Sequence, residues 1–415
     1  MSTAGPLGAA ALATEYAEKL VLGTARDVHG AIASRVHGAL DLVAGGPGVS
    51  HRLHDGIAHS VYSGVGVGLR VSARGLRAAD RLAERAGVGS RLDDTSRGRF
   101  LLSAVNGLIG DRLREEAPEH FFEMGVRVAG RDVPLDTDAV AAAYPTATGD
   151  LVVFVHGLSE SEAYWERAVR PRRDVLVPGY GSTLQQDGWS PVQVRVNTGL
   201  PIRENGAALA SLLDRLVAAW PREVRRIALV GHSMGGLIVR AACAVEVPPG
   251  PEGAVAWTDR VTDVVTLGTP HLGAPLERVA DLGARALGRL PEAAPFGRIL
   301  EFRSPGILDL RRGLAADVQH LPHARYHLVA GTLTRSPRHP LAETVGDLLV
   351  PYSSALGRSR RGEMFPGADV LHVPRASHFD LLNHDDVRTA LHAWLRQDPD
   401  DRPSTQQQSA QEATR

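Results

Sequence analysis

The sequence predicts an α/β protein, a mostly parallel sheet flanked by helices, with an N-terminal all-α extension. Two observations carry this. Short apolar, β-rich runs at 151–155, 192–196, 227–230, 261–267, 326–330 and 370–373 alternate with helical stretches such as 205–220. Near-continuous apolar strands separated by helices imply a parallel sheet covered on both faces. Ahead of them, residues from about 9 to 119 carry helical periodicity, with Val28, Ile32, Val36 and Leu40 each four apart and Leu82, Ala83 and Ala86 continuing the stripe.

The extension, residues 1–120, is interrupted by glycine at 45–48 and 64–68. Arg70, Arg74, Arg77, Arg81 and Arg85 fall on one face of a helix, an arrangement suited to peripheral contact with an anionic membrane. Asp80 and Glu84 neutralise part of that stripe and Gly75 weakens the helix, so the plainer reading is a solvated face of a packed helix. His51 and His54 have no further ligand set spaced around them, and no metal is expected. At Gly125 the period changes to two. Residues 126–128 and 133–135 around 129–132 read as a short hairpin that opens a second domain, 121–396. Within it, 275–320 is a long mixed segment whose apolar content suits a helical lid over an acyl pocket, with ordinary core helix as the alternative. The tail, 397–415, has almost no apolar residues and is expected to be disordered.

Composition removes some function classes. Lys plus Arg total 46 against 47 for Asp plus Glu, so no nucleic-acid partner is expected. The single cysteine, Cys243, cannot form an internal disulfide and is read as a small packing residue. Residues 1–22 lack a basic leading segment, and no apolar run approaches the ~18 residues of a membrane span, so a cytoplasmic enzyme is expected. The oligomeric state is not written in the sequence.

The chemistry concentrates at 227–240. A buried strand runs into Gly231-His232-Ser233-Met234-Gly235 and then an apolar helix. Flanking glycines let the chain turn sharply enough to thrust the serine off the strand's carboxyl end. A serine hydroxyl needs a base oriented by a carboxylate, and behind such an elbow the chain order is nucleophile, acid, histidine. His378 lies in a loop directly after the run 370–373 and is the candidate base, ahead of His384, His372, His327 and His323. Asp347 follows the penultimate strand and is the candidate acid, with Asp369 and Glu343 still open. Backbone N–H groups of Met234, directly after the serine, and of Leu158, in the loop after 151–155, are the candidate oxyanion donors. No cofactor is called for.

Four segments together resemble bacterial lipases and esterases of the α/β-hydrolase fold, including those similar to the GPI inositol-deacylase type. They are Phe-Val-His-Gly-Leu ending at Leu158, Val-Gly-His-Ser-Met-Gly-Gly ending at Gly236, Val-Thr-Leu-Gly-Thr-Pro-His-Leu-Gly-Ala-Pro ending at Pro275, and Asp347 with Val350-Pro-Tyr-Ser-Ser. The resemblance spans about 149–395 and has no counterpart for 1–119. It implies an esterase or lipase with Ser233, Asp347 and His378 as triad, a small-molecule or lipid ester as substrate, and Thr269-Pro270-His271 at the border of the cleft. Thioester or amide cleavage would use the same triad, and a membrane-associated binding protein on a hydrolase scaffold is the non-enzymatic alternative.

Overall fold

The computed structural model describes residues 96–116, 118, 120–166, 177–245, 255–274, 304–314 and 318–397, with a few isolated positions before residue 96. The basic stripe apart from Arg74, His51, His54, most of 275–320 and all but the first residue of the tail lie outside the described residues. The chain divides into two compact units, Met1–Val105 with Glu115–Phe121, and Asn106–Arg114 with Phe122–Arg415. Helix α1 (Ser96–Glu116) leaves helical geometry at Ile109, and its residues from Asn106 to Arg114 count with the second unit.

The second unit continues with β1 (Gly125–Val128), β2 (Arg131–Asp132), α2 (Thr137–Ala143), β3 (Asp150–Val155), α3 (Tyr180–Gln186) and β4 (Ser190–Arg195). Next come α4 (Ile202–Ala219), β5 (Arg226–His232), α5 (Met234–Cys243), β6 (Val261–Leu267), α6 (Pro305–Arg312) and β7 (Arg325–Thr332). The chain then forms α7 (Pro340–Thr344), α8 (Tyr352–Ala355), the small hairpin β8 (Arg358–Ser359) and β9 (Gly362–Glu363), β10 (Asp369–Pro374) and α9 (Asp385–Leu395). Among the described residues, eight strands form one sheet in the order β10-β7-β6-β5-β3-β4-β1-β2. All neighbours from β10 to β4 pair parallel, while β1 is antiparallel to both β4 and β2.

The apolar runs are strands because both faces of the sheet are covered. Leu151, Val153 and Val155 of β3 pack with α4 and α5 on one face, while Val152 and Phe154 pack with Trp165, Tyr180 and α9 on the other. Each such side chain, fully withdrawn from water, contributes about 1.5–3 kcal/mol before chain entropy is counted. Helix α4 begins at Ile202, three residues before the sequence suggests, because Pro201 serves as its N-cap. The hairpin also differs from expectation. Ala129 and Gly130 both take positive φ, 49° and 75°, and form the turn alone, so the second strand is Arg131–Asp132 rather than 133–135. Pro134 has no N–H to extend that ladder.

Of the segment 275–320, the part the structure describes includes α6, whose Ile307 and Leu310 are buried in the core. Among the described residues, no helix is long and apolar enough to cross a membrane.

Candidate active site

Strand β5 lies between β3 and β6, and its last residues carry the chain to Ser233 at the carboxyl edge of the sheet. A Cβ at position 231 would stand 2.5 Å from Gly236, and one at 235 would stand 2.2 Å from the carbonyl oxygen of Val155, so glycine is required at both. Ser233 itself adopts φ 52° and ψ −122°, a conformation L residues avoid, and its N–H donates to the carbonyl of Leu267 at 2.8 Å. Such a residue costs about 1–3 kcal/mol and is retained only where the surroundings enforce it. Ser233→Gly is therefore expected to raise the unfolding free energy by about 1 kcal/mol, strain relief exceeding the added chain entropy. Denaturant titration checks this, and a destabilised variant would mean that the elbow stores no strain.

The loop after β7 supplies Asp347, 1% exposed, and the loop after β10 supplies His378, 2% exposed. Oδ1 of Asp347 accepts the N–H groups of Leu349 (3.0 Å) and Val350 (2.8 Å), which fixes the carboxylate in its plane. Oδ2 is left for Nδ1 of His378 at 2.7 Å, and the His378 N–H donates to the Asp347 carbonyl at 2.8 Å. Burial alone would depress the imidazole pKa, but the charge and hydrogen bond of Asp347, with help from Glu160, outweigh it and raise the value above that of an ordinary histidine.

The other candidates sit elsewhere. Asp369 is at the opposite end of β10 and pairs with His327, itself held by Asp263 at 2.9 Å, and Glu343 accepts from Ser353 at the surface. His372 bonds the Thr332 hydroxyl, His323 the carbonyl of Thr258, and His384 caps α9. Of Thr269-Pro270-His271, only Pro270 lines the cleft, whereas Thr269 and His271 are fully buried. Burial pushes the Cys243 thiol up to about 12, so it is protonated and inert, in keeping with a packing role.

Ser233 and His378 line one open cleft, whose walls are otherwise Leu158, Glu160, Pro270, Ala274, Leu310, Leu349, Val350 and Phe379. The hydrogen bonds of the described residues do not include a direct one from Ser233 Oγ to His378. Leu158 follows Gly157, where a Cβ would stand 2.9 Å from Cβ of Ser233, so only glycine lets this loop approach Ser233. The loop is held from several sides. Ser159 N–H donates to the Thr198 hydroxyl at 3.0 Å, Glu160 accepts the Gly157 N–H at 2.7 Å, and His156 accepts the Val196 N–H at 2.9 Å. Behind Thr198, Asn197 bonds Asn106 of α1 at 2.8 Å and accepts from Asn205 at 2.9 Å.

A strained serine at the end of a central parallel strand, with a histidine and a buried carboxylate on the loops after β10 and β7, makes a recognisable topology. The model of the alpha/beta hydrolase family matches residues 152–390. The chain belongs to the alpha/beta hydrolase family. Among solved structures, this hydrolase is similar to a lipase from Bacillus licheniformis in its mature form, at 21% identity over 59% of this chain and 91% of that one, with a TM-score of 0.42. A thermophilic esterase from Thermogutta terrifontis matches at 16% identity over 60% and 90%, TM-score 0.37. The carboxylesterase CesB from Bacillus subtilis matches at 13% over 60% and 84%, TM-score 0.37. No curated protein sequence matches the chain.

Sequence reasoning missed three features of this hydrolase's site: Glu160, its partner His232, and the asparagine set that includes Asn106. An acidic residue three positions beyond Gly157 was the one local signal for the first. The others meet across 72 and 91 residues of chain, and no periodicity announces them.

Proposed function

We propose that this alpha/beta hydrolase cleaves carboxylic esters through an acyl-enzyme, with Ser233 as nucleophile, His378 as general base and Asp347 as its orienting acid. The observation that carries the reading is the 2.7 Å contact of His378 with Asp347, on a ring that lines the same cleft as Ser233. As Ser233 Oγ bonds to the ester carbonyl carbon, His378 Nε2 takes the hydroxyl proton and the carbonyl electrons move to oxygen. The N–H groups of Leu158 and Met234 receive that oxyanion. Collapse breaks the carbon–oxygen bond to the alcohol, which departs with the proton from His378. Water then attacks the acyl-serine with His378 again as base, the acid leaves and Ser233 recovers its proton. The apolar wall of the cleft suits the acyl group, and a small-molecule or lipid ester is the substrate class.

The test is a fluorophosphonate probe followed by peptide mapping, together with p-nitrophenyl esters of graded chain length. One adduct per chain, on Ser233, and hydrolysis of the esters are expected. A native protein that neither labels nor hydrolyses would overturn the reading, because only an activated serine reacts.

A further inference from the structure

Glu160 is 2% exposed, touches two parts of the site directly and reaches a third through His232. Its Oε2 accepts the N–H of Gly157 at 2.7 Å in the loop that carries Leu158. Its Oε1 and Oε2 lie 2.9 and 3.1 Å from Nδ1 of His232, the residue before the nucleophile. Nε2 of His232 lies 3.1 Å from the carbonyl oxygen of His378, and the two imidazole rings are 4.6 Å apart.

The partners of His232 fix a proton count. An ionised carboxylate and a carbonyl both only accept, yet a neutral imidazole has one N–H and one bare nitrogen. With both ring nitrogens facing oxygen acceptors, the Glu160–His232 pair must hold one proton more than a carboxylate beside a neutral ring. Otherwise a lone pair would face a lone pair in a buried site. His156, in the same loop, is the contrast. Its Nε2 accepts the Val196 N–H and its Nδ1 donates to the Gly157 carbonyl at 2.9 Å, the pattern of a neutral ring. Burial, the largest influence on His156, lowers its pKa accordingly. Burial would raise Glu160, but His232 and the Gly157 N–H outweigh it and hold the carboxyl below its ordinary range. Of the other ionisable groups, His156 and His378 interact with Glu160 directly, while Glu162 and Arg195 act on His156 and Asp347 acts on His378.

We propose that Glu160 and His232 are positioning residues whose shared proton ties the oxyanion loop to the loop bearing the base. They act through Gly157 and through the His378 carbonyl. The inference rests on the reading of Ser233 and His378 as nucleophile and base. Removing the proton at alkaline pH sets lone pairs against each other, so both loops loosen and turnover falls. A glutamine at 160 would keep every bond without a proton to lose. Its amide oxygen would accept from Gly157, its NH₂ would donate to Nδ1, and the Nε2–H of neutral His232 would still donate to the His378 carbonyl.

The experiment is kcat/KM against pH on p-nitrophenyl butyrate for native protein, Glu160→Gln and Glu160→Ala. Circular dichroism is recorded at each pH, and a fluorophosphonate reaction is run on each protein. The native enzyme is expected to show an alkaline limb while still folded. Glu160→Ala should lose on the order of 10²-fold at neutral pH, the scale of a misplacement by about 1 Å. Glu160→Gln should recover most of that loss and move the alkaline limb upward or abolish it. If Glu160→Ala fails to fold, the limb in Glu160→Gln decides alone. A native enzyme with no alkaline limb, or a Glu160→Gln limb unchanged from native, overturns the proposal while leaving the triad standing. A native protein inert to both ester and fluorophosphonate removes the triad, and this proposal with it.

Discussion

Ser233→Ala is expected to lower kcat for ester hydrolysis by about 10⁶-fold, the scale on which serine hydrolases lose turnover with their nucleophile. The substitution removes only Oγ. Alanine keeps the Cβ that occupies the φ 52° position, so the elbow and its hydrogen bond to Leu267 remain, and the thermal midpoint should stay near native. Fluorophosphonate labelling should vanish in parallel. Hydrolysis within tenfold of native by the folded variant would rule out Ser233 as nucleophile, because the proposed oxyanion donors alone cannot supply that rate.

Asp347→Asn should cost about 10⁴-fold in kcat, and the geometry explains why an isosteric change is so damaging. Oδ1 is claimed by the N–H groups of Leu349 and Val350, so in the variant the amide oxygen must stay there. The NH₂ is thereby turned toward Nδ1 of His378. A donor at that point requires a bare Nδ1 and places the ring proton on Nε2, which can then no longer accept from Ser233. The pH profile gives a second reading. In the proposed mechanism the base works as neutral imidazole, so activity falls as pH drops through its pKa. Because that value is raised in the native protein, chiefly by Asp347 acting against burial, the acid limb of kcat/KM should lie above the ~6.5 of a free histidine. In Asp347→Asn the limb of the residual activity should move to lower pH. An unmoved limb would mean that some other group charges His378.

The sheet was legible in the sequence for a specific reason. β3, β5 and β6 are covered on both faces, so their residues read as near-continuous apolar runs, and Ser233 directly follows β5 while His378 lies in the loop just after β10. The hairpin was placed wrongly because Ala129-Gly130 is a weaker turn signal than the polar run that follows it. Asp347 could be ranked by chain order but not separated from Asp369 or Glu343. The distinction lies in which carboxylate is turned inward, and that depends on the backbone of 348–350. The assignment of Asn106–Arg114 to the second unit was also hidden, since the helical period does not change there and the hydrogen bond from Asn197 to Asn106 joins distant segments.

The two proposed reacting residues do not hang from equally secure strands. Among the described residues, β5 is hydrogen-bonded on both sides, whereas β10 is the edge of the sheet and is held by β7 alone. Opening free energies in a folded protein range from near zero at frayed margins to the global value in the core, and an edge strand belongs nearer the low end. A transient detachment of β10 would withdraw the imidazole while the elbow and five strands of parallel sheet stay intact. Backbone amides of 370–373 would then exchange with solvent sooner than those of 227–232, and heat or denaturant would silence the enzyme before it unfolds the chain. For this hydrolase, residual activity gauges the integrity of one margin of the sheet, and spectroscopic folding gauges the rest.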